Sequence, residues 1–354
     1  MSGMGPSTSL ELESFRCTAG PLVDVRSPSE FRQGHWPGAI NLPLFSDDQR
    51  AEVGLTYKTV GREEAIQLGL EVVGPQLASL AKQLRQVAAP AKHSASGAAL
   101  RIYCWRGGMR SGSVTWLAQL IGLSPVLLAG GYKTYRRWVL QQFLRPWPLH
   151  LLGGRTGTGK TDLLLSLQRH GVAVVDLEGL AHHRGSSFGG LGQPEQPSTE
   201  HYENLLAEQL DHHRARGASQ IWLEAESAQV GRCRIPQALF QQMRDAPVLE
   251  IQRSLEERIA QLVKVYAPLG AAPLQAATER ISRRLGPQRT RQALEAIQDA
   301  DWATACRAML DYYDRCYDHE LARAVKRREV DLQGLDVEES TQLLLEQGLL
   351  DWSV

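Results

Sequence analysis

Short apolar runs alternate with amphipathic stretches through the first two thirds of the chain, the pattern of a parallel α/β fold. Pro21–Arg26 contains Leu-Val-Asp-Val, a short buried strand, and Leu100–Cys104 is a second. Pro125–Ala129, ending at Gly130-Gly131, is a third. Between the second and third, Val114, Leu117, Ala118 and Ile121 recur at helical spacing, and Gly122 stops that helix. The Ala-, Pro- and Ser-rich stretch Ala88–Ala99 reads as a surface loop. Two prolines in Arg145-Pro146-Trp147-Pro148 interrupt any regular element. A second α/β pattern follows. His150–Leu152 enters a glycine loop, Lys160–His170 is helical, and Gly171 suits its C-terminal cap. Val172–Leu177, Ile221–Glu224 and Val248–Ile251 read as strands. Thr199–Arg216 reads as a helix with Tyr202, Leu205, Leu206 and Leu210 on one face. From about Ser254 the strand signal fades and helices dominate. The expected organisation is one α/β domain over 1–145, a second over 149–254 and a helical C-terminal region over 255–354.

Composition narrows the class. A chain of 354 residues exceeds one ordinary core. With 43% hydrophobic and 22% charged residues it reads as globular rather than disordered. No run is long enough to span a bilayer, and Met1–Leu10 lacks the basic start and apolar middle of a signal peptide. A cytoplasmic location with no membrane contact is therefore expected. The five cysteines are scattered and odd in number, unlike a disulfide framework or paired metal ligands.

Formal net charge is zero, so no global field advertises nucleic-acid binding. Locally, Arg280, Arg283, Arg284, Arg289 and Arg291 crowd one segment, and Lys326, Arg327 and Arg328 another. Such clusters contact phosphate backbones, but solvated helix faces look the same. His182-His183 lacks metal-ligand spacing, and His212-His213 reads as a solvated helix end.

Two loops carry candidate chemistry. In the first, Cys104-Trp-Arg106-Gly107-Gly108-Met-Arg110-Ser111 lies between a strand and a helix. Its glycines let several backbone N–H groups converge on one anion, and the following helix adds its positive end. Arg106 and Arg110 add charge, so Cys104 is expected to react as a thiolate. The second loop, Gly154-Arg-Thr-Gly157-Thr-Gly159-Lys160-Thr161, fits G-x-x-x-x-G-K-[ST] between a strand and a helix. Its backbone would cradle a diphosphate or triphosphate, with Lys160 as a point charge and the Thr161 hydroxyl as a possible Mg2+ ligand. Asp176 and Glu224 end later strands, where a carboxylate can face a metal or act as a base; strand-end surface charge is the plainer alternative.

The stretches Leu22-Val-Asp24-Val-Arg26-Ser-Pro28-x-Glu30-Phe31 and Gly34-His35-Trp-Pro37-Gly38-Ala39-Ile-Asn41-Leu-Pro43 resemble the N-terminal signature of rhodanese domains. Five residues separate Cys104 from Arg110, where ordinary rhodaneses have four. The longer loop resembles that of rhodanese-fold dual-specificity phosphatases and favours a tetrahedral, phosphate-like donor. Joined to the P-loop, to His183-Arg184-Gly185-Ser186-Ser187-Phe188-Gly189 and to Leu223-Glu224-Ala-Glu226-Ser227, the whole resembles the tRNA 2-selenouridine synthases.

That resemblance implies a fold of a rhodanese-like domain, a P-loop domain and a helical tail. It implies replacement of sulfur by selenium in wobble 2-thiouridine, with selenophosphate as donor and selenophosphate synthase as its source. An S-geranyl intermediate made from geranyl diphosphate is implied as well. Cys104 would then be catalytic, with Arg106, Gly107, Gly108, Arg110 and Ser111 on selenophosphate. Gly154, Gly157, Gly159, Lys160 and Thr161 would hold the diphosphate. Arg184, Arg280, Arg283, Arg284 and Arg289 would hold tRNA. The rivals are a phosphatase or sulfurtransferase on the rhodanese scaffold with a regulatory P-loop, and an RNA-binding adaptor that uses the P-loop as a switch.

Overall fold

The computed structural model describes residues 8–89, 98–321 and 326–351. They fall into two compact units that divide between Gln141 and Gln142.

The first unit is built on a five-stranded parallel sheet. In chain order its strands are β1 (Thr8–Leu10), β2 (Leu22–Asp24), β3 (Ile40–Asn41), β4 (Leu100–Tyr103) and β5 (Pro125–Leu128). Across the sheet they run β1-β5-β4-β2-β3. Being central, β4 is covered on both faces, and Leu100 and Ile102 are buried with Val23, Val114 and Ala118. Helix Met109–Leu120 returns the chain to β5. Most of Ala88–Ala99 lies outside the described residues; Ala88 itself ends helix Leu77–Ala88.

The paired Asp24 and Arg26 of the signature are structural. Both are buried, and the Arg26 Nη2 bonds Asp24 Oδ2 at 2.6 Å and the Gly34 carbonyl at 2.7 Å. The Arg26 guanidinium also lies 3.8 Å from the Tyr132 ring centroid. Two partners and an aromatic face offset the desolvation of that charge.

The second unit holds another five-stranded parallel sheet. Its strands are β6 (Leu149–Gly153), β7 (Val174–Val175), β8 (Ile221–Glu224), β11 (Val248–Gln252) and β12 (Arg327–Asp331), in the order β12-β11-β6-β8-β7. A small antiparallel hairpin, β9 (Gln229–Val230) with β10 (Cys233–Arg234), stands apart. The central β6 delivers the chain into the glycine loop, at the carboxyl end of the sheet where ligands of open α/β folds bind.

Three expectations change. The C-terminal stretch is mainly helical but contributes the edge strand β12, whose sequence Arg-Arg-Glu-Val-Asp buries only Val330 and so carries no apolar signal. Leu332, Leu344, Leu349 and Leu350 then join Leu163, Leu164 and Leu167 in one core. The run Val172–Leu177 shrinks to β7, because Asp176 caps a short helix, Leu177–Ala181, by accepting from the Gly179 N–H. His213 is not solvated: it is buried, and its Nε2 lies 2.8 Å from the Val174 carbonyl.

Candidate functional site

Cys104 leaves the end of β4 and is 3% exposed. Ser111, on the first turn of helix Met109–Leu120, places Oγ 3.0 Å from Sγ. Gly107 and Gly131 have φ of +66° and +60°, and they let two loops lie back to back. A Cβ on Gly131 would stand 2.3 Å from the Cys104 carbonyl oxygen and 2.5 Å from the Gly107 nitrogen. Bonds from Tyr132 N to Cys104 O (2.8 Å) and from Lys133 N to Trp105 O (3.0 Å) lock the pair.

The structure thus brings Cys104, Gly107, Gly108 and Ser111 together at a helix N-terminus. Arg106 is exposed. Arg110 instead makes a two-pronged pair with Glu30, at 2.6 and 3.2 Å. Burial alone would raise the Glu30 carboxyl, but Arg110, joined by the Ser27 N–H and Arg50, holds that carboxyl below its ordinary range. Glu30 belongs to the signature, and only the fold shows that it reaches the thiol loop.

In the second unit the glycine loop is drawn in by backbone contacts. Gly157 has φ +85°, and a Cβ there would lie 2.7 Å from the Arg258 carbonyl oxygen. The Lys160 Nζ donates to the Gly154 carbonyl at 2.7 Å, and the Thr161 hydroxyl donates to Glu178 Oε2 at 2.8 Å. Buried Arg258 reaches across from helix Leu255–Tyr266, donating to Thr156 O at 2.8 Å while pairing with Asp314. Arg155 pairs with Asp318 at 2.8 Å.

The loop opens on a cleft of about 630 Å³ that also includes Asp176, Glu178, Arg184, Glu226, Arg284 and Tyr312. Gly185 closes over two of these carboxylates: a Cβ there would be 2.8 Å from Glu178 Oε1 and from both Glu226 oxygens. Burial pushes the Glu178 carboxyl up, with Lys160 and Thr161 opposing. Glu224 does not face the cleft as a free carboxylate. It is fully buried, Oε2 accepts from Leu177 N at 2.9 Å, and burial beside Asp176 and Glu178 pushes it well above its usual range. Adjoining the cleft is a chamber of about 60 Å³ walled by Phe188, Leu262, Tyr266, Leu274, Trp302 and Met309.

The chain is similar in sequence to known proteins. Residues 147–347 match the family model described as the tRNA 2-selenouridine synthase AAA domain, and residues 10–137 match the rhodanese-like domain. The tRNA 2-selenouridine synthase of Bordetella petrii is 36% identical over 87% of this chain and 88% of its own length. That of Marinobacter nauticus is 34% identical over 89% of this chain and 91% of its own. A solved N-terminal domain of an ATP/GTP binding protein from Clostridium difficile 630 is 37% identical, covering 38% of this chain and 99% of that one at a TM-score of 0.35.

The chain belongs to the tRNA 2-selenouridine synthase family.

Within this selenouridine synthase family member, the arginines read as a tRNA surface are dispersed. Arg284 lines the P-loop cleft, whereas Arg283 and Arg291 line a separate groove with Glu279 and Glu295. Arg289 is paired with Asp311. Arg184 donates to the Leu191 carbonyl at 3.1 Å. Arg280 ends helix Ala271–Arg280, and Arg284 sits on a separate turn, Ser282–Leu285. Arg280 and Arg284, although four residues apart, therefore share no continuous helical face. Glu178 and Glu226 are the functional candidates that sequence reasoning did not assign. The Asp176-x-Glu178 spacing after β7 was the available signal for the first. Among the described residues no group of three or more His, Cys, Asp or Glu is placed to hold a metal ion, and no helix is long and apolar enough to cross a membrane.

Proposed function

We propose that this chain replaces sulfur by selenium at C2 of wobble 2-thiouridine in tRNA, using selenophosphate and passing through an S-geranyl intermediate. The reading is supported by one observation: a member of this family carries two glycine-rich loops at helix N-termini, one beside the Cys104 thiol and one beside Lys160. Selenophosphate synthase would supply the selenium donor, and the reaction belongs in the cytoplasm.

Selenophosphate would sit on the N–H groups of the thiol loop. Its selenium is already at the selenide level, so accepting it on sulfur as a perselenide would require an oxidant. Attack at phosphorus needs none. The Cys104 thiolate forms an S–P bond as the P–Se bond breaks, selenium leaves with both bonding electrons, and water hydrolyses the phosphocysteine. The Ser111 hydroxyl, donating to Sγ at 3.0 Å, would hold the sulfur in place for attack and for departure. Released selenide adds to C2 of the S-geranyl base, the C–Se bond forms, and the geranyl thiolate departs.

Geranyl diphosphate would place its diphosphate on Lys160 and the P-loop backbone. The adjoining apolar chamber would take the far end of the chain, the rest lying in the cleft. Thr161 and Glu178 would hold Mg2+, which neutralises diphosphate charge when bound. Glu224, buried and accepting from the Leu177 N–H, supports the start of helix Leu177–Ala181 in this reading rather than a metal.

The test is mass spectrometry of wobble nucleosides from a deletion strain complemented with variants. Cys104→Ser should give no selenouridine while geranylated base still forms. Lys160→Ala should give neither. Wild-type selenouridine from Cys104→Ser would remove the thiol from the reaction, and geranylation by Lys160→Ala would assign the P-loop another ligand.

A further inference from the structure

Large apolar side chains belong inside a fold, and the first unit buries most of its aromatics, although Tyr57 is exposed. Phe15, Trp36, Tyr103, Tyr132 and Tyr135 form one buried cluster. Against that background, four large apolar residues lie open on the thiol loop and along the helix that follows it. Trp105 is 36% exposed, Met109 55%, Trp116 46% and Leu120 56%. They are not scattered. At 100° per residue, positions 109, 116 and 120 fall within about 40° on one face of helix Met109–Leu120. Trp105 precedes that stripe on the loop itself, next in sequence to the nearly buried Cys104.

The platform is rigid as well as exposed. The Trp105 carbonyl is held by Lys133 N, and its ring leans on Tyr132 at 5.8 Å between centroids. Tyr132 is in turn backed by the Arg26 guanidinium. A ring fixed from behind and open in front suits stacking, because little side-chain entropy is lost when a flat partner arrives. The surroundings are basic: Arg106, Lys133 and Arg137 are all exposed, the last one turn beyond Lys133. Aromatic faces interleaved with cations form the pattern that binds single-stranded nucleic acid, bases on rings and phosphates on cations.

We infer that the stripe Trp105–Met109–Trp116 is the surface on which unpaired bases of the tRNA anticodon loop stack, with the base to be modified on Trp105. Seven residues of helix separate Met109 from Trp116, a rise of about 10 Å, so the stripe spans more than one base. The inference rests on the reading of Cys104 as the group serving that base. It moves the main RNA contact to the thiol unit, away from the dispersed arginines of the second unit.

The experiment measures binding of two RNAs by filter titration: a hairpin with the native anticodon loop and one with the same stem closed by a tight tetraloop. Trp105→Ala and Trp116→Ala should each weaken the native hairpin about fivefold or more and leave the tetraloop hairpin unchanged. Trp105→Phe and Trp116→Phe should stay near wild type. The alkylation rate of Cys104 by iodoacetamide reports loop shape and should be the same in all four variants. Unchanged binding of the native hairpin by the double alanine variant overturns the inference. So does a phenylalanine variant as weak as alanine, or a changed alkylation rate that tracks the loss, since either would make the tryptophans supports of the loop. A shift in oligomeric state with RNA binding intact would assign the stripe to a protein contact instead. Cys104→Ser binds the native hairpin normally whether or not the thiol is catalytic, so failure of the Cys104 reading shows up separately as surviving selenouridine.

Discussion

The thiol loop and the P-loop are both glycine-rich turns between a central parallel strand and a helix, yet they are held in place differently. The thiol loop is braced mainly at shorter range, through Gly131 against the Cys104 and Gly107 backbone, with Glu30 reaching Arg110 from earlier in the same unit. The P-loop is braced at long range, by Arg258 and Asp314 and by Arg155 and Asp318, more than a hundred residues downstream for the aspartates. The first site is therefore complete once one small sheet has formed. The second is complete only when the C-terminal helices have packed.

Substituting the brace of each loop separates the two. Gly131→Ala should have the larger effect. The position needs φ +60°, and the new Cβ would meet three backbone atoms at 2.3–2.8 Å. None of these atoms is the end of a flexible side chain, so the loops must part. A loss of about 4 kcal/mol is expected in the unfolding of the first unit, together with a changed rate of Cys104 alkylation. Affinity for pyrophosphate at the P-loop should not move. A Gly131→Ala protein with normal stability and normal thiol reactivity would show that the back-to-back packing is dispensable.

Arg258→Ala tests the other brace. Removing one partner of a largely buried ion pair takes from Asp314 its hydrogen-bonded counter-charge and frees the Thr156 carbonyl. The expected cost is about 3 kcal/mol, confined to the second unit and accompanied by weaker pyrophosphate binding. Cys104 alkylation should be unchanged. Equal losses in both units would show that the braces do not act independently. Replacing Arg258 by Lys should recover little, because a point charge cannot both pair with Asp314 and reach Thr156.

This difference in range explains what could be read directly from the chain. The thiol loop and its strand are visible because strand, cysteine, glycines and arginines are contiguous, and Leu100, Ile102 and Tyr103 make a short, largely apolar run as a strand covered on both faces does. The P-loop motif was equally plain. Its surroundings were not. β12 hides because only Val330 is buried, and Arg258 and Asp314 look like ordinary helix charges until the helices meet. Glu224 ends an apolar strand as a metal-facing carboxylate would, but its orientation toward Leu177 depends on where the Leu177–Ala181 helix starts. Glu30 lies far in sequence from Arg110, and a rhodanese-like signature does not say which cation it will meet.

The smallest expected effect concerns the arginines of the second unit. Counted along the chain they form one basic cluster, but in the fold only Arg284 among the clustered set reaches the P-loop cleft, and Arg289 is already paired with Asp311. An arginine committed to a carboxylate gives up part of its value as a phosphate contact, since the pair must open before the phosphate is met. Arg284→Ala is therefore expected to lower the slope of log affinity for tRNA against log salt by about one unit, and Arg289→Ala to leave it unchanged. Arg280 ends the preceding helix and shares no continuous face with Arg284, so Arg280→Ala should add nothing to the Arg284→Ala change. A filter titration over several salt concentrations decides it. Equal slope losses for Arg280, Arg284 and Arg289 would mean that tRNA reads the whole segment as one surface, and the P-loop unit would then regain the leading role in RNA binding.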